Sequence, residues 1–511
     1  MYKKSLTLFL LKVLKIPLSI LTLILTAKYF GVSLDNDVWL IGSMIVGVIG
    51  LAVWGPINET FRAKFVAIKE IEGQEVAINY TKSLILYMFI ISSVIVIALI
   101  MYPNLVARII APGFDESGFQ NLLRMISFLA PILLFNQLNM ILSSILNAFE
   151  IYYIPEISSL FTQLINIFII IFLAPIIGIK ALVLALYVST ILLFFFLINK
   201  IIKLNIPVFK GPINFTFDGF KLFFLFSFPF FVPYLIGQLN GIVEKAIATS
   251  LGVGVVSIID YSRRIPDLLN SILVSIVLTI LVPTLTKAFI NNDVKTYNRE
   301  FLASYRLGLL GLILFIVFFI NGAEPVFYLL YKSPAINTVQ MNDIILLSKL
   351  FSISLIGVFS YIILGMSMLS VNKAKLYVIT GVLAQIVVIF FNSITVKWLG
   401  MKVFPLSFFL AHFFAAIYMC MHYPYDKAMI YRETIRYYLL CILSAFFAYF
   451  IYSLYKFSFG ENVVLNLFVE VLYSLLLTLV FVGFFGCILK VPEINMLFKL
   501  IKSTLIRGNK T

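Results

Sequence analysis

The sequence predicts an all-α polytopic membrane protein of about fourteen transmembrane helices. Three observations predict it. Of the 511 residues, 62% are hydrophobic and 12% charged, a composition that excludes an ordinary soluble globule. The apolar residues gather in runs that reach the length a helix needs to cross a bilayer, about 20 residues. Lysine and arginine concentrate in alternate connections between those runs, the positive-inside pattern.

In chain order the runs lie near residues 6–30, 37–60, 82–101, 122–147, 154–174, 176–199, 219–247, 253–284, 304–322, 344–370, 374–398, 402–423, 435–457 and 463–489. The first lacks a small-residue cleavage site and reads as a retained helix, not a signal peptide. The basic connections hold Lys3 and Lys4, then Arg62, Lys64 and Lys69, then Lys200, Lys203 and Lys210, and so on to the cluster from Lys490 to Lys510. Both termini are therefore expected in the cytoplasm. The net charge of +15 reports this topology and does not call for a nucleic-acid partner. The links 62–82 and 286–306 mix charge with spaced apolar residues and read as amphipathic helices at the interface. Pro17, Pro131, Pro229, Pro233 and Pro266 interrupt runs, so kinks are expected there.

The spans repeat. A shift of 222 residues pairs Pro103 with Pro325, Pro112 with Pro334, Gln163 with Gln385, Gly178 with Gly400 and Lys180 with Lys402, and a shift of 221 pairs Gly31 with Gly252. Six spans per repeat keep one orientation, so two six-helix lobes are expected about an axis along the membrane normal, with the substrate site between them. The division is 1–205 for the N-lobe, 206–425 for the C-lobe, 426–490 for two added helices and 491–511 for a cytoplasmic tail.

Charged residues inside spans are costly, at about 3 kcal/mol each on insertion scales, and normally face a bundle interior or a wet cavity. Asp260, Arg263, Arg264 and Asp267 lie three, four and seven residues apart, on adjoining helix faces. Two readings stand: a structural ion-pair cluster, or an arginine meeting an anionic substrate. Lys12, Lys15, Lys28, Asp37, Glu59, Glu244, Lys245 and Lys349 complete the polar set. Lysines near span ends can snorkel to the headgroups, or converge on a cavity if the repeat brings spans 1, 2, 7 and 8 together. A cavity lined by such cations suits an anionic solute. The three cysteines, Cys420, Cys441 and Cys487, have no paired or metal-binding spacing. Neither His412 nor His422 sits in a metal or nucleophile motif, and no phosphate-cradling glycine loop occurs, so no cofactor, metal or ATP hydrolysis is expected.

Four stretches, AKYFGVSLDNDVWLIG (27–42), ARIIAPGF (107–114), LLRMISFLAPILLFNQLNMILSSILNAFEIYYIP (122–155) and IDYSRRIPDLLNSILVSIVLTILVPTL (259–285), resemble the lipid II flippase family MurJ or MviN. That family lies within the multidrug/oligosaccharidyl-lipid/polysaccharide exporter superfamily. The resemblance covers roughly residues 5–425. It implies a V-shaped bundle of two six-helix lobes plus two C-terminal helices, in a bacterial inner membrane. It also implies alternating access that moves a polyprenyl-pyrophosphate-linked saccharide to the outer leaflet. Lys28 stands at a family arginine, Asp37 at the family aspartate and Arg264 at the family arginine of span 8. Thr22 replaces a second span 1 arginine, WGPINETF lacks the family arginine and EGAF pattern, and span 11 carries Asn392 without a carboxylate.

The expected function is a flippase for an undecaprenyl-pyrophosphate-linked cell-wall precursor, lipid II first and another lipid-linked oligosaccharide second. Lys28, Asp37, Arg264, Arg263 and Lys15 are the expected head-group contacts, and Asp260, Asp267, Glu244 and Lys245 the expected structural ion pairs. Membrane lipids are the other partners, and a monomer is expected. A membrane-embedded polysaccharide polymerase, the alternative from a different class, would usually need a sizeable external loop carrying catalytic groups, and the connections here are mostly under about 20 residues, so it ranks below the flippase. A cation exporter of the same superfamily would favour carboxylates in the cavity, where spans 1, 8 and 10 carry lysine and arginine.

Overall fold

The structure, a computed structural model, describes residues 2–212, 215–455 and 462–496, without the side chains of 2–10, 12, 13 and 275–280. The side chain of Lys12 and the tail beyond residue 496 lie outside the described residues. The helices are α1 (Tyr2–Tyr29), α2 (Leu34–Ile71), α3 (Gln74–Met101), α4 (Pro103–Ile110), α5 (Glu116–Ala148), α6 (Tyr153–Ile177), α7 (Lys180–Lys203), α8 (Asp218–Ser227) and α9 (Phe231–Leu251). They continue as α10 (Val255–Ile290), α11 (Val294–Tyr331), α12 (Thr338–Ser370), α13 (Ala374–Leu399), α14 (Val403–Met421), α15 (Lys427–Leu454) and α16 (Val463–Ile488). Among the described residues, 11 helical segments are long and apolar enough to cross a membrane, and one of them, Ala374–Met421, takes in both α13 and α14. The protein is a multi-pass membrane protein.

Element ends carry the repeat more sharply than residue identities do. α5 and α12 begin at 116 and 338 and end at 148 and 370, an offset of 222 at both ends. α2 and α10 begin at 34 and 255. Left-handed backbone recurs with the same offset, at Gly178 (φ 60°) and Gly400 (φ 54°), and at Glu150 (φ 61°) and Asn372 (φ 59°). The equivalent helices α5 and α12 are also the most enclosed of the candidate spans, with 61% and 78% of their apolar windows buried. Buried serines at 348, 352, 354, 360, 367 and 370 let neighbours approach α12 closely. The repeat departs from itself once. α3 ends at Met101, because Tyr102 precedes Pro103 and is driven out of helical geometry, whereas α11 runs on through Pro325.

One sequence expectation is corrected. The links 62–82 and 286–306 are not separate interfacial helices. α2 continues to Ile71 and turns at Glu72 and Gly73 into α3, and α10 continues to Ile290 before α11 starts at Val294. The spaced apolar residues explain this: Phe61, Phe65 and Ile68 on α2, and Tyr297, Phe301 and Tyr305 on α11, are each at most 2% exposed, so they pack inward instead of on lipid. Of the prolines, only Pro229 falls at a break, where a short 3-10 turn (Phe228–Phe230) separates α8 from α9. Pro233 sits in the first turn of α9, where its missing N–H costs no helical bond, and α1, α5 and α10 run through Pro17, Pro131 and Pro266.

The chain forms two compact units, residues 1–257 with 333–336, and residues 258–332 with 337–511. In the first, Trp54, Phe61 and Phe65 of α2 meet Phe223 of α8, with the Phe61 and Phe223 ring centroids 5.1 Å apart. A buried Thr60–Ser227 hydroxyl pair at 2.7 Å joins the same helices. These contacts bind α8 into the first unit, although it lies past residue 205, where the sequence leads one to expect the second lobe. In the second unit one large core runs from α10 to α16. Glu433, 3% exposed, accepts two 3.0 Å bonds from Arg436, and Glu493 accepts from the Tyr437 hydroxyl and lies 3.9 Å from Arg306. Glu493, just past α16, thus links Tyr437 of α15 to Arg306 of α11.

The α1–α2 turn depends on glycine. Gly31 has φ +52°, and a Cβ there would lie 2.2 Å from the carbonyl oxygen of Ala335 in the same unit. Gly31→Ala is expected to destabilise the first unit by about 1–3 kcal/mol, read as a lower unfolding temperature in detergent.

Candidate functional site

The first unit carries an open cavity of about 520 Å³, lined by residues of α2, α5, α7 and α9 that include several amides and hydroxyls. Glycine makes the room. On α2, a Cβ at Gly47 would meet nothing within 4 Å, one at Gly50 would lie 2.3 Å from the Gln137 amide nitrogen, and one at Gly55 would lie 2.5 Å from the Tyr234 ring. Bare backbone therefore admits a glutamine and a tyrosine side chain against α2. Asn136, Gln137 and Asn139 of α5 supply amides, Ser143 and Ser144 hydroxyls, and Glu59 of α2 the one charge among the lining residues. The Tyr234 hydroxyl donates to Glu59 Oε2 at 3.1 Å. The Asn139 amide nitrogen donates to the Thr190 carbonyl at 3.0 Å, which sets the orientation of that amide. The carbonyl oxygens of Asn58, Gln137 and Asn139 are buried without a hydrogen-bond partner.

This cavity is not the cation-lined one that the charges predict. No lysine or arginine lines it. Sequence reading included Glu59 in the polar set but missed the amides, although the run Asn136, Gln137, Leu138, Asn139 inside an apolar span is the kind of polar exception that marks a wet cavity.

Asp37, expected among the head-group contacts, is 0% exposed. Its carboxylate accepts from the Gly254 N–H at 2.6 Å, the Ser257 N–H at 2.8 Å and the Ser257 hydroxyl at 2.5 Å. It thereby caps the N-terminus of α10, whose first amides have no partner within their own helix, and the helix dipole favours the negative charge. Asn36 donates to Ser257 Oγ at 3.0 Å and to the Gly31 carbonyl at 2.9 Å. The LDND motif is therefore a turn-to-turn clasp within the first unit. ARIIAPGF supports the same region, because a Cβ at Gly113 would lie 2.4 Å from the Ser250 backbone.

The remaining residues separate. Lys15, a quarter exposed, is ion-paired with Glu156 and so joins α1 to α6. Lys28 is exposed, with its ammonium 5.4 Å from the Tyr29 ring centroid. Glu244 is 6% exposed on α9, and Lys245 beside it is half-buried and partly offsets the charge of Asp37.

In the second unit the span 8 cluster splits. Arg264 makes a two-pronged pair with Asp260, at 3.0 and 3.1 Å, and its side chain remains 51% exposed. Arg263 instead faces aromatic rings, 4.6 Å from the Phe351 centroid and 6.0 Å from that of Phe408, a cation–π contact that fastens α10 to α12 and α14. Asp267 is exposed one turn beyond Arg264 and adds to the favourable field on its guanidinium. Among the described residues no cluster of three or more metal-binding side chains occurs.

Comparison with known proteins bears on the whole chain. The family model described as lipid II flippase MurJ matches residues 26–491. A protein of Buchnera aphidicola subsp. Baizongia pistaciae, "Probable lipid II flippase MurJ", is 24% identical over 407 residues, 76% of each chain. The "Lipid II flippase MurJ" of Burkholderia cenocepacia is 24% identical over 285 residues, 54% of this chain and 55% of its own. Among solved structures, a lipid II flippase MurJ in an inward closed conformation has a TM-score of 0.79 at 20% identity, over 95% of this chain and 99% of that one. An inward-facing multidrug resistance MATE family transporter of the MOP superfamily has a TM-score of 0.66 at 14% identity, over 79% and 93%. These likenesses carry the fold, and the family model, covering nearly the full length, carries membership: the chain belongs to the lipid II flippase MurJ family.

Proposed function

We propose that this protein moves lipid II, an undecaprenyl-pyrophosphate-linked saccharide, from the inner to the outer leaflet of a bacterial inner membrane by alternating access. The observation that carries the reading is the family match over residues 26–491, joined to a fold shared over 95% of the chain with a MurJ structure. The proposed topology has fourteen spans, both termini in the cytoplasm and a repeat dividing at 1–205 and 206–425, with 426–490 as the added pair and 491–511 as the tail. It is proposed to act as a monomer.

Arg264 and Lys28 are the proposed contacts to the pyrophosphate, because each remains exposed while Lys15 and Arg263 are engaged within their own units. An arginine fork suits a phosphate in geometry as well as charge. Rigid-body motion of repeats would exchange access. The proposed role is that of a transporter, in keeping with the family match.

The test is complementation. In a bacterium depleted of its own lipid II flippase, expression of this chain is expected to restore lipid II at the outer leaflet, measured with an impermeant probe. Absence of exposure despite confirmed membrane insertion would transfer the reading to another lipid-linked oligosaccharide. One observation favours that second reading: Thr22, at a family arginine, donates to the Leu18 carbonyl at 2.9 Å and brings no charge.

A further inference from the structure

We infer that a hollow between α3, α5 and α7 of the first unit binds an anionic phospholipid of the surrounding bilayer, with an acyl chain in the hollow and the phosphate at Lys82. The hollow measures about 340 Å³ and shares no lining residue with the cavity described above. Leu138 and Leu142 of α5, 7% and 1% exposed, form its floor, while Phe89 of α3 and Phe209, 47% and 43% exposed, stand at its lip. Among its described lining residues Lys82 is the one charged side chain. An apolar hollow on a membrane-spanning surface takes hydrocarbon, and a cation at its edge selects a negative head group.

The chain that follows α7 roofs the hollow and is held in place. Ile206 and Val208 are buried in the core of the first unit and pin a 3-10 turn, Pro207–Phe209. Gly211 then takes φ +78°, and the Lys82 ammonium donates to the Lys210 carbonyl. Farther on, the Ser83 hydroxyl donates to the Thr216 carbonyl at 2.6 Å and the Tyr87 hydroxyl to the Phe215 carbonyl at 3.1 Å. The site therefore needs little ordering when a lipid arrives. One donated bond leaves the Lys82 ammonium two N–H groups for a phosphate, and Lys203 and Lys210 are exposed on either side of the turn.

The same hollow recurs in the second unit without the cation. There a hollow of about 250 Å³ is lined by Leu364, Ala416, Ile430 and Tyr431, which stand 222 residues after Leu142, Phe194, Val208 and Phe209 of the first. Recurrence at this offset makes the hollow a feature of the fold and not an accident of local packing. The position 222 residues after Lys82 is Ser304, and the adjacent Tyr305 hydroxyl lies 2.9 Å from Thr434 Oγ1. No charged side chain is among the described residues that line this second hollow. A preference for negative head groups is therefore expected in the first hollow alone.

The test is native mass spectrometry of the full-length protein released from detergent, with phosphatidylglycerol and phosphatidylcholine as probes. Wild type is expected to bind its first phosphatidylglycerol more tightly than its first phosphatidylcholine. Lys82→Gln keeps a donor for the Lys210 carbonyl; it is expected to weaken the first phosphatidylglycerol about fivefold and to leave phosphatidylcholine unchanged. Leu86→Trp fills the hollow from a half-buried position and is expected to weaken the first phosphatidylglycerol about tenfold. Lys375→Gln removes an exposed charge from the second unit and is expected to change neither lipid.

Equal weakening of phosphatidylglycerol by Lys82→Gln and Lys375→Gln would overturn the assignment, because it would reduce the attraction to diffuse surface charge. Unchanged phosphatidylglycerol binding in both hollow variants would overturn it as well. So would displacement of phosphatidylglycerol by an equal concentration of undecaprenyl phosphate, which would give the hollow to an isoprenoid chain. Should Leu86→Trp not give a monodisperse protein, Lys82→Gln against Lys375→Gln carries the comparison alone. Lipid II is absent from these measurements, so their outcome is separate from that of the complementation assay.

Discussion

Asp37→Ala is expected to destabilise the protein by about 3 kcal/mol or more, because hydrogen bonds to a buried charge contribute about 1.5–3 kcal/mol each and three would be lost together. The Gly254 and Ser257 N–H groups and the Ser257 hydroxyl would be left buried beside a cavity of carboxylate size. Asp37→Asn keeps one acceptor oxygen but turns an N–H₂ toward a donor, so a smaller loss is expected. Thermal unfolding in detergent separates this role from substrate contact. A clasp predicts that the unfolding temperature falls in the order wild type, Asp37→Asn, Asp37→Ala, with flipping lost in proportion to folded protein. Unchanged unfolding of Asp37→Ala with abolished flipping would instead return Asp37 to the substrate.

Arg264→Ala is expected to abolish transport while the fold persists. Its guanidinium is half exposed, and a solvent-facing ion pair such as the one with Asp260 contributes only about 0–1 kcal/mol to stability. A charge-assisted bond to phosphate is stronger, about 1.5–3 kcal/mol, so loss of the contact lowers affinity roughly 10- to 100-fold. Arg264→Lys retains charge without the two-pronged geometry and is expected to fall between wild type and alanine. Asp260→Asn removes the internal partner but leaves the cation and is expected to keep transporting. Well-expressed Arg264→Ala with normal lipid II exposure would rule out this contact. If the pair were purely structural, Asp260→Asn and Arg264→Ala would lose stability and transport alike.

The candidate site was only partly legible in the sequence, and particular residues show why. Arg263 and Arg264 are neighbours with the same charge, yet a turn of about 100° per residue sends one onto Phe351 and leaves the other beside Asp260. Nothing local distinguishes them. Asp37 stands at a family aspartate and in sequence suggests a ligand contact, but its partners are 217 and 220 residues away in the chain. Gln137 and Asn139 carry no distinctive local signal, because amides are tolerated in membrane helices. Only the fold shows that the Gln137 amide packs on bare backbone at Gly50, where a Cβ would lie 2.3 Å from its nitrogen.

By itself the sequence determined the class, an all-α multi-pass membrane protein, and the family. These depend on hydrophobic length and on local motifs, each written along the chain. Tertiary structure alone decided that α2 and α11 extend past their spans as buried helices, and that α8 joins the first unit through Phe223. It also decided which charges are engaged within the protein and which remain exposed. The physical reason is that helix formation and membrane insertion follow from composition over a window of residues. Whether a given side chain meets an amide, a ring or an empty volume depends on residues hundreds of positions away.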